Sequence, residues 1–229
     1  MFFLKKVPYI VLAVLISLFL VSCKGQDGGD TIKVGALFAV TGPASFLGSP
    51  EKKTAEMFVE EINAKGGILG KQVTLVVKDT GGDPAKAQAL AKQLINEEKV
   101  FAIIGPSTSG ESLQVKDLCN DTKVILLSCA AAEKIVSPVS KYVFNTPQKD
   151  SHAIARIFGV MKDLGIKKIG VISANTGFGK AGKEQLEKLA PGAGIQILIS
   201  ESYDKDATDL SGVLTKVKAK NVHDLGSCC

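Results

Sequence analysis

Residues 101–128 read FAIIGPSTSGESLQVKDLCNDTKVILLS. An apolar run, Phe101–Ile104, leads into a loop of glycine, proline and hydroxyl residues. A helix is predicted from about Ser109 to Asn120, and a second apolar run spans Val124–Ser128. Runs this short and this uniformly apolar suit strands buried on both faces, and a helical crossover between them makes the strands parallel.

The same alternation extends in both directions. Upstream, the strand Ile32–Val40 precedes a helix whose Ala55, Phe58, Val59 and Ile62 form an i, i+3, i+4, i+7 stripe. Asn63–Gly67 ends that helix and Gln72–Lys78 is the next strand. Asp83-Pro84 then opens a helix with the stripe Ala87, Leu90, Ala91, Leu94 and Ile95, since proline in a first turn loses no hydrogen bond. Downstream, Lys141–Thr146 reads as a connecting strand. A helix from Asp150 carries Ile154, Ile157, Phe158, Met161 and Leu164 on one face. The strand Lys168–Ser173, a helix Gly179–Leu189, the strand Ile195–Ser200 and a helix with Leu210, Val213, Leu214 and Val217 follow. The expected class is α/β with parallel sheets flanked by helices, in two lobes spanning 31–146 and 147–229. A single doubly wound sheet is the alternative.

The whole chain has 229 residues, 45% of them hydrophobic and 22% charged, which excludes a disordered or collagen-like protein. Its formal charge is +5, yet Arg156 is its one arginine. A nucleic-acid reader leans on arginine, so no nucleic-acid partner is expected. Two of the positive charges, Lys5 and Lys6, precede an uncharged run from Val7 to Val21, the order of an export signal. Leu20-Val21-Ser22-Cys23 resembles the lipobox of bacterial lipoproteins, with an ordinary secretory signal as the alternative. Residues 1–22 then form the signal peptide, Cys23 takes the lipid and 23–30 make a Gly-rich tether. The expected location is the outer face of a membrane, periplasmic or extracellular, held there by lipid.

In open parallel sheets, ligands bind beyond the carboxyl ends of the strands. Those ends carry Thr41–Gly48, Gly105–Gly110, Cys129–Ala132 and Asn175–Gly179. Enzyme signatures fail there. Gly179-Lys180 lacks the earlier glycine of a phosphate-binding loop, and Gly105–Ser109 is not a nucleophile elbow. His152 and His223 lie far apart in sequence and neither is set among the cysteines in a metal-ligand spacing, so neither metal nor other cofactor is expected, and no catalytic residue is assigned. Cys119 and Cys129 are left open as a pair. Ser109 at a helix start offers unpaired N–H groups to an anion, although Ser107–Ser109 also read as simple helix capping. The small residues Ala130, Ala131 and Ala132 admit a ligand to main-chain carbonyls. Phe178, between two glycines, either lines the cleft or packs under its own loop.

These pieces together resemble a family. Gly35-Ala36 with Thr41-Gly42-Pro43 and Gly48, then Glu61–Ile68, Asp83-Pro84, Ile104-Gly105-Pro106 with Ser109, and Asn175–Lys180 are similar to the type I periplasmic substrate-binding proteins of branched-chain amino acid (Leu/Ile/Val) ABC importers. The resemblance runs from about Thr31 to Asn221. It implies two hinged lobes that close on a small amino acid and present it to permease subunits. It also implies that Ser109 and the main chain of Ala130–Ala132 hold the ligand's ends, and that Phe178 closes over it from the other lobe. Two departures stand out: relatives often carry a hydroxyl at Ala132 and a Tyr at Phe178. A third is that Asn221-Val222 should enter another strand, where the text instead turns into His223–Cys229. The resemblance therefore implies a truncated or frameshifted member with an incomplete second lobe and an exposed apolar edge on the first. A ligand-sensing lipoprotein or a fragment without function are the alternative expectations.

Overall fold

The apolar runs become strands close to where the pattern puts them. The computed structural model describes residues 31–220, 222 and 224–228, the last five by backbone alone. The signal segment, Cys23 and the tether lie outside the described residues. From Ile32 on, the chain alternates β1 (Ile32–Phe38), α1 (Ser45–Ala64), β2 (Val73–Asp79), α2 (Pro84–Asn96), β3 (Ala102–Ile104), α3 (Ser109–Thr122) and β4 (Ile125–Ser128). A short α4 (Glu133–Val136) precedes β5 (Val143–Asn145). Then come α5 (Asp150–Asp163), β6 (Lys168–Ala174), α6 (Gly177–Leu189), β7 (Gln196–Tyr203), α7 (Ser211–Lys218) and β8 (Asp224–Cys228).

The first sheet runs β2-β1-β3-β4-β5 and the second β7-β6-β8. Every pairing is parallel. The order of the first sheet brings the carboxyl ends of β1, β3 and β4 side by side, which matters below.

Packing explains the helices. Asp83 caps α2 by accepting from the Lys86 amide, Pro84 opens it, and Ala87, Ala91, Leu94 and Ile95 are buried as the stripe requires. Leu94 lies so close to β1 that a side chain on Gly35 would sit 2.9 Å from its Cδ1. Burying a leucine stabilises by about 1.5–3 kcal/mol, so this contact contributes to holding α2 on the sheet. Leu37, Ile103, Val115, Leu126 and Ile135 complete the first core. A second core gathers Ile154, Phe158, Ile169, Val171, Leu186 and Ile195. Ala181 of α6 belongs to the first core, so the element that follows β6 packs against the first sheet's helices.

Four expectations need correction. The stripe on α1 is only partly covered: Ala55, Val59 and Ile62 are half-buried, Phe58 is 51% exposed, and Gly48 is the helix's one buried residue. The apolar surface left open on the first sheet's side thus includes a helix face, because α1 leans on β1 and β2 alone among its larger contacts. Ile157 and Leu164 are likewise exposed on α5. Lys141–Thr146 is more than a connector, since Val143–Asn145 pairs with β4 as the fifth strand of the first sheet. The tail read as replacing the next strand contains one: Asp224–Cys228 lies parallel to Ile169–Ser173 as β8.

Candidate ligand-binding site

The loop after β3 serves three purposes with three consecutive hydroxyls. Thr108 caps α3 by accepting from the Glu111 amide, and the Glu111 carboxylate accepts in return from the Thr108 amide and hydroxyl, at 3.0 and 2.6 Å. This capping box fixes the angle at which α3 leaves the sheet. Ser107, buried, turns the other way. Its Oγ accepts from the Ala39 amide at 3.0 Å and donates to the Glu51 carboxylate, joining the tips of β3 and β1 to the first turns of α1. Capping therefore accounts for Thr108 and bridging for Ser107. Ser109 is the first residue of α3, only 2% exposed, and its hydroxyl takes no part in the cap.

Across from it, Thr176 caps α6 by accepting from the Gly179 amide at 3.0 Å. The helix starts at Gly177, two residues before the predicted Gly179, and its first turn meets the first turn of α3. A Cβ placed on Gly177 would come within 2.6 Å of the Gly110 amide nitrogen and closer still to its Cα. The bare Cα of Gly177 allows this approach, and any side chain there would prevent it. Two helix N-termini thus converge beside Ser109, each carrying roughly half a positive charge and unpaired amides. Phe178, next to this contact, is 36% exposed. Lys134 and Glu184 form an ion pair at 2.7 Å that ties α4 to α6 nearby.

The third component follows β4. Ala130 and Ala132 are buried and Ala131 is half-buried. The Ala131 carbonyl accepts from the Asp150 amide and the Ala132 carbonyl from Ile135, both at 3.0 Å, while the Ala130 amide donates to Ser128 Oγ at 3.1 Å. These bonds hold the segment rigid between α4 and α5, and each carbonyl retains a second lone pair. Asp79 anchors the loop after β1 in a similar way, accepting from the amides of Val40, Thr41 and Gly81 and from the Thr41 hydroxyl.

Residues without a sequence signal shape the electrostatics. Burial raises the Glu51 carboxyl above its ordinary range; the Ser107 hydrogen bond offsets part of that rise, and the nearby Glu111 charge adds a smaller one. Burial also pushes the Cys129 thiol up to about 11, helped by the Glu51 charge. Cys119 and Cys129 are both free thiols. Glu133 accepts from Lys149 at 2.8 Å and Ser151 at 2.6 Å, bonds that lower its pKa and pin the start of α5 to α4. Among the described residues no group of three or more His, Cys, Asp or Glu could hold a metal ion. A shallow groove of about 610 Å³ along β7 opens at the opposite end of α6, roughly 15 Å of helix away from Gly177, and is separate from this constellation.

In sequence and in fold the chain matches known proteins. Residues 31–225 match the family described as periplasmic binding protein. The chain belongs to that family. Among relatives, the Leu/Ile/Val-binding protein BraC3 of Rhizobium johnstonii is 26% identical over 193 residues, covering 83% of this chain and 52% of the relative. The leucine-, isoleucine-, valine-, threonine-, and alanine-binding protein of Pseudomonas aeruginosa is 28% identical over 196 residues, covering 84% and 52%. Among solved structures, the branched-chain amino acid transporter substrate-binding protein LivJ of Streptococcus pneumoniae, in complex with isoleucine, superposes with a TM-score of 0.74 at 29% identity. That match covers 86% of this chain and 57% of LivJ. An extracellular ligand-binding receptor of Rhodopseudomonas palustris HaA2 gives 0.78 at 28% identity, over 86% and 54%. The chain spans about half the length of the curated relatives it matches.

Proposed function

We propose that this chain is an extracytoplasmic substrate-binding protein that takes a small amino acid between its two lobes, 31–146 and 147–229, for delivery to the permease of an ABC importer. Branched-chain amino acids and others of that size are the first ligands to test, because relatives of this family carry names for binding them. The observation that carries the reading is the meeting of the α3 and α6 N-termini at Gly110 and Gly177, with Ser109 and Phe178 beside it. Amide and hydroxyl donors there suit the ligand's carboxylate, and carbonyls of Ala130–Ala132 suit its ammonium. Because the ligand touches both lobes, it favours their closed arrangement. Cys23 would carry the lipid that holds the protein at the membrane surface.

Calorimetry on the full chain in detergent, titrated with leucine, isoleucine, valine, threonine and alanine, tests the reading. Saturable heat with at least one of them is expected, and Ser109→Ala should weaken it by about tenfold, the loss of a hydrogen bond to a charged group. No heat with any small amino acid would remove this function. Incorporation of labelled palmitate in a bacterial host, lost on Cys23→Ala, tests the anchor separately.

A further inference from the structure

The strand tips hold a polar row that the grip on a ligand's two ends does not use. Glu51 stands one turn beyond Gly48, where the missing side chain lets α1 lie directly on Ala39. From that position it reaches across the tip of β1 and accepts a hydrogen bond from the Ser107 hydroxyl at the tip of β3. Cys129 at the tip of β4 feels its charge, and the Cys129 amide donates to the Pro106 carbonyl at 3.2 Å. So the row Glu51, Ser107, Cys129 runs directly beside Ser109 and Ala130.

Glu111 adds a second, independent sign. It is fully buried, one carboxylate oxygen is spent on the capping box, and the other, Oε1, has no hydrogen-bond partner. Its charge reaches Glu51 and contributes to raising it. At these strand tips the Ser107 hydroxyl already donates to the Glu51 carboxylate and the Thr108 hydroxyl to the Glu111 carboxylate, so neither has a hydrogen left to offer. A buried acceptor left in that condition carries a cost that a ligand donor would relieve.

Resting on the reading that a small amino acid is held at Ser109 and Ala130–Ala132, we propose that Glu51, seated with Ser107 beside that grip, sets the class of ligand side chain. A short branched side chain that donates a hydrogen bond is preferred to its aliphatic isostere. The physical reason is asymmetric. A hydroxyl supplies the proton the Glu51 carboxylate accepts, while a methyl group in the same place strips water from the carboxylate and returns nothing. Sites built to hydrogen-bond a ligand group reject the analogue lacking it far more strongly than apolar sites reject an added group.

Threonine and valine have nearly the same shape and differ by this one donor. Calorimetry on the full chain in detergent should show threonine bound at least tenfold more tightly than valine. Glu51→Gln, which keeps size and removes charge, should shrink that ratio, and Glu51→Leu should bring it to one or invert it, with thermal melts confirming that each variant is folded. Valine binding as tightly as threonine in the wild type overturns the assignment while leaving the proposed function standing. So does an unchanged ratio in folded Glu51→Gln. Binding of leucine with none of threonine also overturns it. If no small amino acid binds at all, both readings fall together.

Discussion

Substituting Gly177 by alanine tests whether the contact between α3 and α6 is the closing contact. The new Cβ would sit within 2.6 Å of the Gly110 amide nitrogen, against main chain that has no flexible end to swing aside. Comfortable carbon contacts lie at about 3.5–4 Å, so the two helix starts must separate by roughly 1 Å. Overpacking of this kind costs about 1–3 kcal/mol. Alanine's better helix propensity stabilises both arrangements of the lobes alike, by about 0.5–1 kcal/mol, and cancels from their difference. The closed arrangement is left about 1–3 kcal/mol less favourable, a factor of about 5–150 in its population. A ligand that grips both sides should lose affinity by the same factor. Calorimetry on full-length Gly177→Ala in detergent, with whichever amino acid binds the wild type, measures it. Gly192→Ala is the control, because a Cβ there meets nothing within 4 Å. Wild-type affinity in a folded Gly177→Ala protein would refute the view that this contact forms part of the closed site.

Three further outcomes follow from local features. Thr108→Ala removes one half of the capping box and should lower stability by about 1 kcal/mol, a fall of about 3 °C in thermal midpoint by calorimetry. Gly159→Ala, in the interior of α5 with open space around it, should raise stability by about 1 kcal/mol, read from denaturant midpoints. Asp150→Asn addresses pH. Burial, with the charge of Glu133, raises the Asp150 carboxyl to about 6, and its Oδ2 is buried without a partner. The folded state therefore holds this proton more tightly than the unfolded state does, so wild-type stability from this group is present at low pH and declines as pH climbs from about 4 to about 6. Urea melts should show Asp150→Asn more stable than wild type above about pH 7, with the advantage shrinking toward pH 4. A pH-independent difference would contradict the linkage.

Much of the framework was legible residue by residue. Asp83-Pro84 and the stripe ending at Ile95 predict a helix that is capped and buried as expected, because capping and amphipathic spacing act within a single turn. The loop after Ile104 predicts a helix start at about Ser109, and the structure makes Ser109 the first residue of α3. The same logic failed on α1, where the spacing of Ala55, Phe58, Val59 and Ile62 is that of a buried face but Phe58 stands 51% exposed. Periodicity states which residues share a face and says nothing of whether a partner element arrives to cover it. It failed again at Asp224–Cys228, whose mixed polarity hides a strand that backbone hydrogen bonding alone can form.

The candidate site divides along the same line. Cap residues, strand runs and glycine-rich loops determine local dihedral angles, and these act over a few residues, so order in the chain is enough to read them. The bond between Ser107 and Glu51 spans 56 positions, and the approach of Gly177 to Gly110 spans a longer stretch still. Both exist because the first sheet takes the order β2-β1-β3-β4-β5 and α6 packs back onto its helices. Sheet order results from which buried faces fit together, a property of the assembled layers that no single segment contains. The sequence thus determined where strands and helices begin, and the tertiary structure decided which of their ends share one site.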